Sequence, residues 1–280
     1  MLCGKGLNVG RPADSGGRTI APGDSEYTDL RSLRIQRILQ SGIVPTLIPT
    51  DAQAPGSPQA SGGQADALVV LALQGREDQA RNELSELHSA GMKFETINLG
   101  LLAPAAQRLG ALWEDDRASF VDVTIAMGTL QRLMQFTSLD LDMIKPRTGK
   151  PPAILVFPEP GAQHSFGARM AAAFFRHAGW EAVIQPDGNL EELSRIVASR
   201  YLDVLGISLG RSEQVRAVKH LIRRLRVASK NPNVLVIAGG WALAQDPQLM
   251  DAIGADAAVV ALVDAAERTE ALLASKTTPD

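Results

Sequence analysis

Apolar and polar positions fall into three regimes along this chain. Between residues 150 and 275, short apolar runs at 153–157, 182–184, 204–208, 234–238 and 257–260 read as strands. Between them, at 167–178, 190–198, 212–228 and 247–253, and finally at 263–274, apolar residues recur every three or four positions, as on one face of a helix. Strands buried on both faces read as unbroken apolar runs, and they alternate with helices where a parallel sheet is covered on both sides. The expected fold is α/β: a flavodoxin-like, five-stranded parallel sheet in the order 2-1-3-4-5.

Residues 66–145 show helical spacing and no strand-like alternation. Asp66 is a candidate cap for an apolar segment, whose pattern (Leu68, Leu71, Leu84, Leu87) runs to a stop at Gly91. A second helix is expected from about Leu99 to Trp113, and a third from near Asp122 to Phe136. Together they predict a bundle of about four helices preceding the sheet. Residues 1–65 are rich in Gly, Pro, Ser, Gln and Asp, and 49–64 cannot bury enough apolar surface to offset backbone ordering. This region is expected to be a mostly disordered tail. It contains one short basic helix at 29–40, where Arg31, Arg34 and Arg37 recur at helical spacing and could touch DNA weakly.

Composition narrows the function classes. A net charge of −3 argues against a chain-wide electrostatic grip on nucleic acid or a membrane. One cysteine, Cys3, excludes an internal disulfide and any cysteine-rich metal site. The longest apolar run, residues 67–73, is far short of the ~20 residues a membrane-spanning helix needs. No signal peptide is visible at the start, so the expected compartment is the cytoplasm. No Ser-His-Asp set, metal-ligand cluster or pair of carboxylates at a strand edge suggests catalysis, so the expectation is a non-enzyme. His88, His177 and His220 lie on helical stretches without ligand-like neighbours.

In an open parallel sheet, ligands bind beyond the carboxyl ends of the strands, near the switch in strand order. Three loops meet there. The first runs Pro158-Glu159-Pro160-Gly161-Ala162-Gln163-His164-Ser165-Phe166-Gly167; the others begin Ser208-Leu209-Gly210 and Gly239-Gly240-Trp241. Glycines let backbone approach a ligand closely. A phosphate-cradling Gly-rich fingerprint is missing after the first strand, which disfavours a nucleotide.

Those residues resemble a cobalamin-binding module. His164-Ser165-Phe166-Gly167 matches its His-x-x-Gly; Ser208 follows after forty residues, and Gly239-Gly240 stands at the module's spacing. The string Leu102-Ala103-Pro104 and then Leu109-Gly110-Ala111-Leu112-Trp113-Glu114 resembles the Trp-bearing helix of the helical cap that precedes such modules. With 119–124 (SFVDVT) and the Pro-Glu and Gln-His of the first loop, the chain is most similar to the AerR/PpaA type, antirepressors of photosynthesis genes. The resemblance implies cobalamin in hydroxo, methyl or adenosyl form. His164 would be its lower metal ligand, and Gln163, Ser165, Gly167, Ser208, Leu209, Gly239, Gly240 and Trp113 would line the cofactor. It also implies light- or redox-responsive regulation through a CrtJ/PpsR-type repressor protein. Two departures stand out. Ala162 occupies the place of the aspartate that normally supports the histidine, leaving Glu159 or a main-chain carbonyl as substitute; Leu209 comes one place early. A corrinoid methyl carrier, a haem-binding redox sensor using His164 as axial ligand, and a plain interaction module on the same fold remain as alternatives.

Overall fold

In the computed structural model, residues 60–139, 144–145, 148–162 and 165–277 are described. Residues 1–59 of the expected tail, with its basic helix, and both Gln163 and His164 lie outside them, whereas 62–65, expected in the tail, belong to the first helix.

The amino-terminal part is helical. Helix α1 (Gly62–Leu73) starts at Ser61, whose hydroxyl accepts from Gln64 N–H while the Gln64 side chain accepts from Ser61 N–H. This reciprocal cap replaces the expected start at Asp66, which sits inside the helix and pairs with Arg108 at 2.6 Å. Gly75, at φ +67°, ends α1, so the pattern expected to run to Gly91 is two helices. The second, α2, spans Glu77–Ser89. Next, α3 (Phe94–Ile97) passes through a π turn (Asn98–Leu102) into α4 (Ala103–Glu114). Pro104 has no N–H to offer the carbonyl four residues back, and the wider turn absorbs that missing bond. Helix α5 (Phe120–Leu139) completes the bundle.

The carboxyl-terminal part is a five-stranded, all-parallel sheet. Its strands are β1 (Ala153–Pro158), β2 (Glu181–Ile184), β3 (Val204–Ser208), β4 (Leu235–Gly239) and β5 (Ala257–Val259), in the order β2-β1-β3-β4-β5. Helices α6 (Phe166–His177), α7 (Leu190–Ser199), α8 (Val215–Ala228), α9 (Trp241–Gln245), α10 (Leu249–Ile253) and α11 (Ala265–Thr277) connect and follow them. The sequence pattern did not mark α9. The central strands are buried along their length, which is why they read as unbroken apolar runs. Asp203 and Asp256 set the start of the sheet, accepting from Ala153 N–H and Val236 N–H at 2.7 Å each.

One apolar cluster joins the two parts. It holds Phe94, Leu130, Leu133 and Met134 of the bundle together with Phe166, Met170, Ala173 and Phe174 of α6. The Phe94 and Phe174 rings meet edge to face at 5.0 Å. Helix α6 is thus shared by the bundle and the sheet. No described helix is long and apolar enough to cross a membrane.

Candidate cofactor cleft

A cleft opens at the carboxyl ends of β1, β3, β4 and β5, at the switch in strand order. The space between its walls is about 530 Å³, open to solvent, and its lining is mainly apolar.

The walls follow from the local sequence. Gly167, Ala171 and Phe175 line the cleft at i, i+4 and i+8 of α6, so one stripe of that helix faces it. The stripe one residue earlier, Phe166, Met170 and Phe174, faces the bundle. Phe175 is held by Trp180 edge to face at 4.9 Å, and Trp180 donates to Glu270 at 3.0 Å. Gly206 and Ser208 come from β3, and Gly239 and Gly240 from the end of β4. Val259, Val260 and Leu262 close the far side. A Cβ on Gly239 would sit 2.8 Å from the Val259 carbonyl oxygen, so only glycine allows this wall. Gly240, at φ +111°, is pressed against the Leu209 backbone, with a Cβ position 2.5 Å from its carbonyl oxygen.

The cleft gathers Gly167, Ser208, Gly239 and Gly240 from the residues marked in the sequence. Other marked residues lie elsewhere. Leu209 is fully buried in the core layer beneath the sheet, with Phe157, Leu205 and Leu243, and does not line the cleft. Its main chain instead accepts from Ala242 N–H and donates to Gly239. Ser165 precedes α6 without capping it and accepts from Arg169 Nε at 3.1 Å. Trp113 is half-buried against the bundle core at the end of α4, away from the cleft lining.

Glu159 is buried in the first loop, and both its oxygens are engaged across it. It accepts from Gly210 N–H at 2.8 Å and pairs with Arg211 Nε at 3.1 Å, while Arg211 also donates to the Gly161 carbonyl. It therefore clamps the loop after β1 to the loop after β3, a different role from supporting a histidine. Sequence reasoning missed Arg211, Ala171 and Phe175. The i, i+4 continuation of Gly167 marks the last two, and an isolated glycine inside an apolar strand marks Gly206.

A flat aromatic base fits this slot. Its faces are apolar, and the Ser208 hydroxyl, half-buried, makes no hydrogen bond within the described residues. A ring nitrogen could accept from it. Haem carries no such tail, so the slot suits cobalamin better. No group of three or more potential metal-ligating side chains occurs among the described residues.

Comparison with known proteins agrees. The B12 binding domain model matches residues 154–272, and a second B12 binding domain model matches 64–136. An uncharacterized 20.5 kDa protein in the bchF-crtJ intergenic region of Rhodobacter capsulatus is 30% identical over 173 residues, spanning 61% of this chain and 88% of that protein. Among solved structures, the monomethylamine corrinoid protein of Methanosarcina barkeri superimposes with a TM-score of 0.58 at 18% identity, covering 75% of this chain and 98% of that one. That likeness is one of fold. Bundle, sheet and cleft thus correspond to the two modules of one group, and the chain belongs to the B12-binding family, as an AerR-type cobalamin-binding protein.

Proposed function

We propose that this chain is a cobalamin-dependent transcription regulator that acts by binding a CrtJ/PpsR-type repressor protein, as an antirepressor of photosynthesis genes, and that it is not an enzyme. The observation that carries the reading is α6, which turns one stripe to the cleft and the next to the bundle. The place of the Rhodobacter capsulatus relative in the bchF-crtJ region supports the choice of partner. Cobalamin supplies a metal whose upper ligand responds to light and redox state.

The chain's residues do the rest. His164, next to Gln163 in the sequence, would offer its imidazole to the cobalt. Gly167, Ser208, Gly239 and Gly240 would hold the cofactor's base, with the Ser208 hydroxyl as the donor available to a ring nitrogen. Ala162 in place of a carboxylate removes the proton relay that a methyl carrier uses when its histidine comes off. A holding role loses nothing by that change. Occupation of the cleft bears on Gly167, Ala171 and Phe175, and α6 passes the effect to Phe166, Met170 and Phe174 under the bundle. A ligand shifts such an equilibrium only by its differential affinity for the two arrangements.

The test is displacement of a repressor of that type from promoter DNA. The hydroxocobalamin-loaded protein should release it, whereas Ala171→Phe, which fills the cleft, should neither take up the cofactor nor release the repressor. Equal release by the unloaded protein would refute cofactor control.

A further inference from the structure

The face of α8 turned away from the sheet is cationic. Val218, Leu221, Ile222 and Leu225 are buried in the core, fixing the helix orientation. Arg216, Lys219, His220, Arg223, Arg224 and Val227 are exposed on the opposite arc. Four of the six carry full positive charge at neutral pH. Arg216, Lys219, Arg223 and Arg224 have no carboxylate within ion-pair distance among the described residues. By contrast, neighbouring Arg226 is paired with Asp256 at 2.8 Å. A free row of cations on a chain of net charge −3 is a local concentration of positive potential, not a reflection of overall composition.

We infer that this face of α8 binds the phosphate backbone of duplex DNA, without reading sequence. A protein interface would centre on aromatic or large apolar anchors; here Val227 alone is apolar. Single-stranded nucleic acid would need a succession of aromatic platforms for its bases, and the face has one ring, His220. Duplex RNA is held largely through 2′-hydroxyl contacts, for which the arc provides no amide or hydroxyl side chain. What it does provide is a line of charge. Arg216 and Arg223 stand seven residues apart, roughly 10 Å along the axis, with Lys219 between them. Such a row suits the evenly repeated charges of one strand. The helix is also tied to the cleft, because Arg211, one residue before the turn Ser212–Gln214 that leads into α8, holds Glu159 of the first loop. The inference goes beyond the regulatory reading and stands without it, since binding by α8 needs neither cofactor nor repressor.

The experiment is fluorescence anisotropy with the full chain and a labelled duplex of arbitrary sequence, across a salt series. The wild type should bind, with a log–log salt slope near −3.6, taking ~0.9 per phosphate contact and four contacts. The triple variant Arg216→Gln, Arg223→Gln, Arg224→Gln should bind roughly 10-fold or more weakly, with the slope reduced by about 2.7. Its thermal transition and hydroxocobalamin uptake should match the wild type. Unaltered DNA binding by the triple variant would overturn the inference and move the contact elsewhere on the chain. Binding of polyglutamate as tight as that of duplex DNA would overturn it in favour of an acidic protein partner, and no binding of the wild type at low salt would end it. Repressor release by loaded protein is scored separately, so either idea can fail alone.

Discussion

Gly240 shows how little latitude the cleft leaves at single positions. Its φ of +111° is one that L-residues rarely adopt, and a Cβ there would meet Leu209 backbone at 2.5 Å and 2.9 Å. Gly240→Ala should cost about 1–3 kcal/mol from the backbone strain alone. Urea denaturation measures this; an unchanged midpoint would mean that the turn relaxes freely. The glycine pair was legible in the sequence because backbone approach demands that residue type. Leu209 was not. It continues the alternation of Leu205 and Ile207, so its side chain enters the core layer with theirs. Gly206 and Ser208, of the other parity, line the cleft. A spacing match identifies a position, whereas strand parity decides which face it serves. The Glu159–Arg211 pair was hidden for another reason: the partners lie 52 residues apart, and nothing local links them.

Among the elements, the contact between α3 and the end of α6 has a defined pH signature. Glu95 lies against His177 at 3.4 Å and Lys145 at 3.7 Å, and the His177 ring stacks on Phe94 at 4.1 Å. The hydrogen bond from His177, against the opposing effect of burial, holds the Glu95 carboxyl at about 2, below the usual 4.5. A depressed carboxylate contributes stability that is present above its unfolded value and lost as pH falls through its folded one. The window is therefore pH 4.5 down to about 2. A shift of that size corresponds to about 3 kcal/mol. Between pH 4.5 and about 2 the stability difference between wild type and Glu95→Gln should shrink as pH falls, by acid-dependent denaturation. A difference that does not vary with pH would contradict this reading of the pair. Helix existence was legible from periodicity, but the ends were set by local chemistry that periodicity ignores. Ser61 and Gln64 cap α1 upstream of Asp66, Gly75 breaks a run that hydrophobicity alone would continue, and Pro104 converts one turn to π geometry.

At the scale of the whole molecule, strand order followed from the alternation of apolar runs and helices, because parallel crossovers permit few arrangements. The seating of the bundle on α6 was less accessible, since the residues that make it look like ordinary core positions of one helix. The two stripes on α6 connect the cleft and the bundle through one helix. The central claim is that His164 ligates cobalt while the cofactor's own base lodges between β3, β4 and α6. Electron paramagnetic resonance of the cobalt(II) form tests it most directly, because the unpaired electron couples to the axial nitrogen. In protein made with nitrogen-15 histidine and loaded with ordinary cobalamin, each cobalt line should split into a doublet. His164→Ala should abolish the doublet. Triplets that persist in the labelled protein would show the cofactor's own base still bound to cobalt, and would contradict the account.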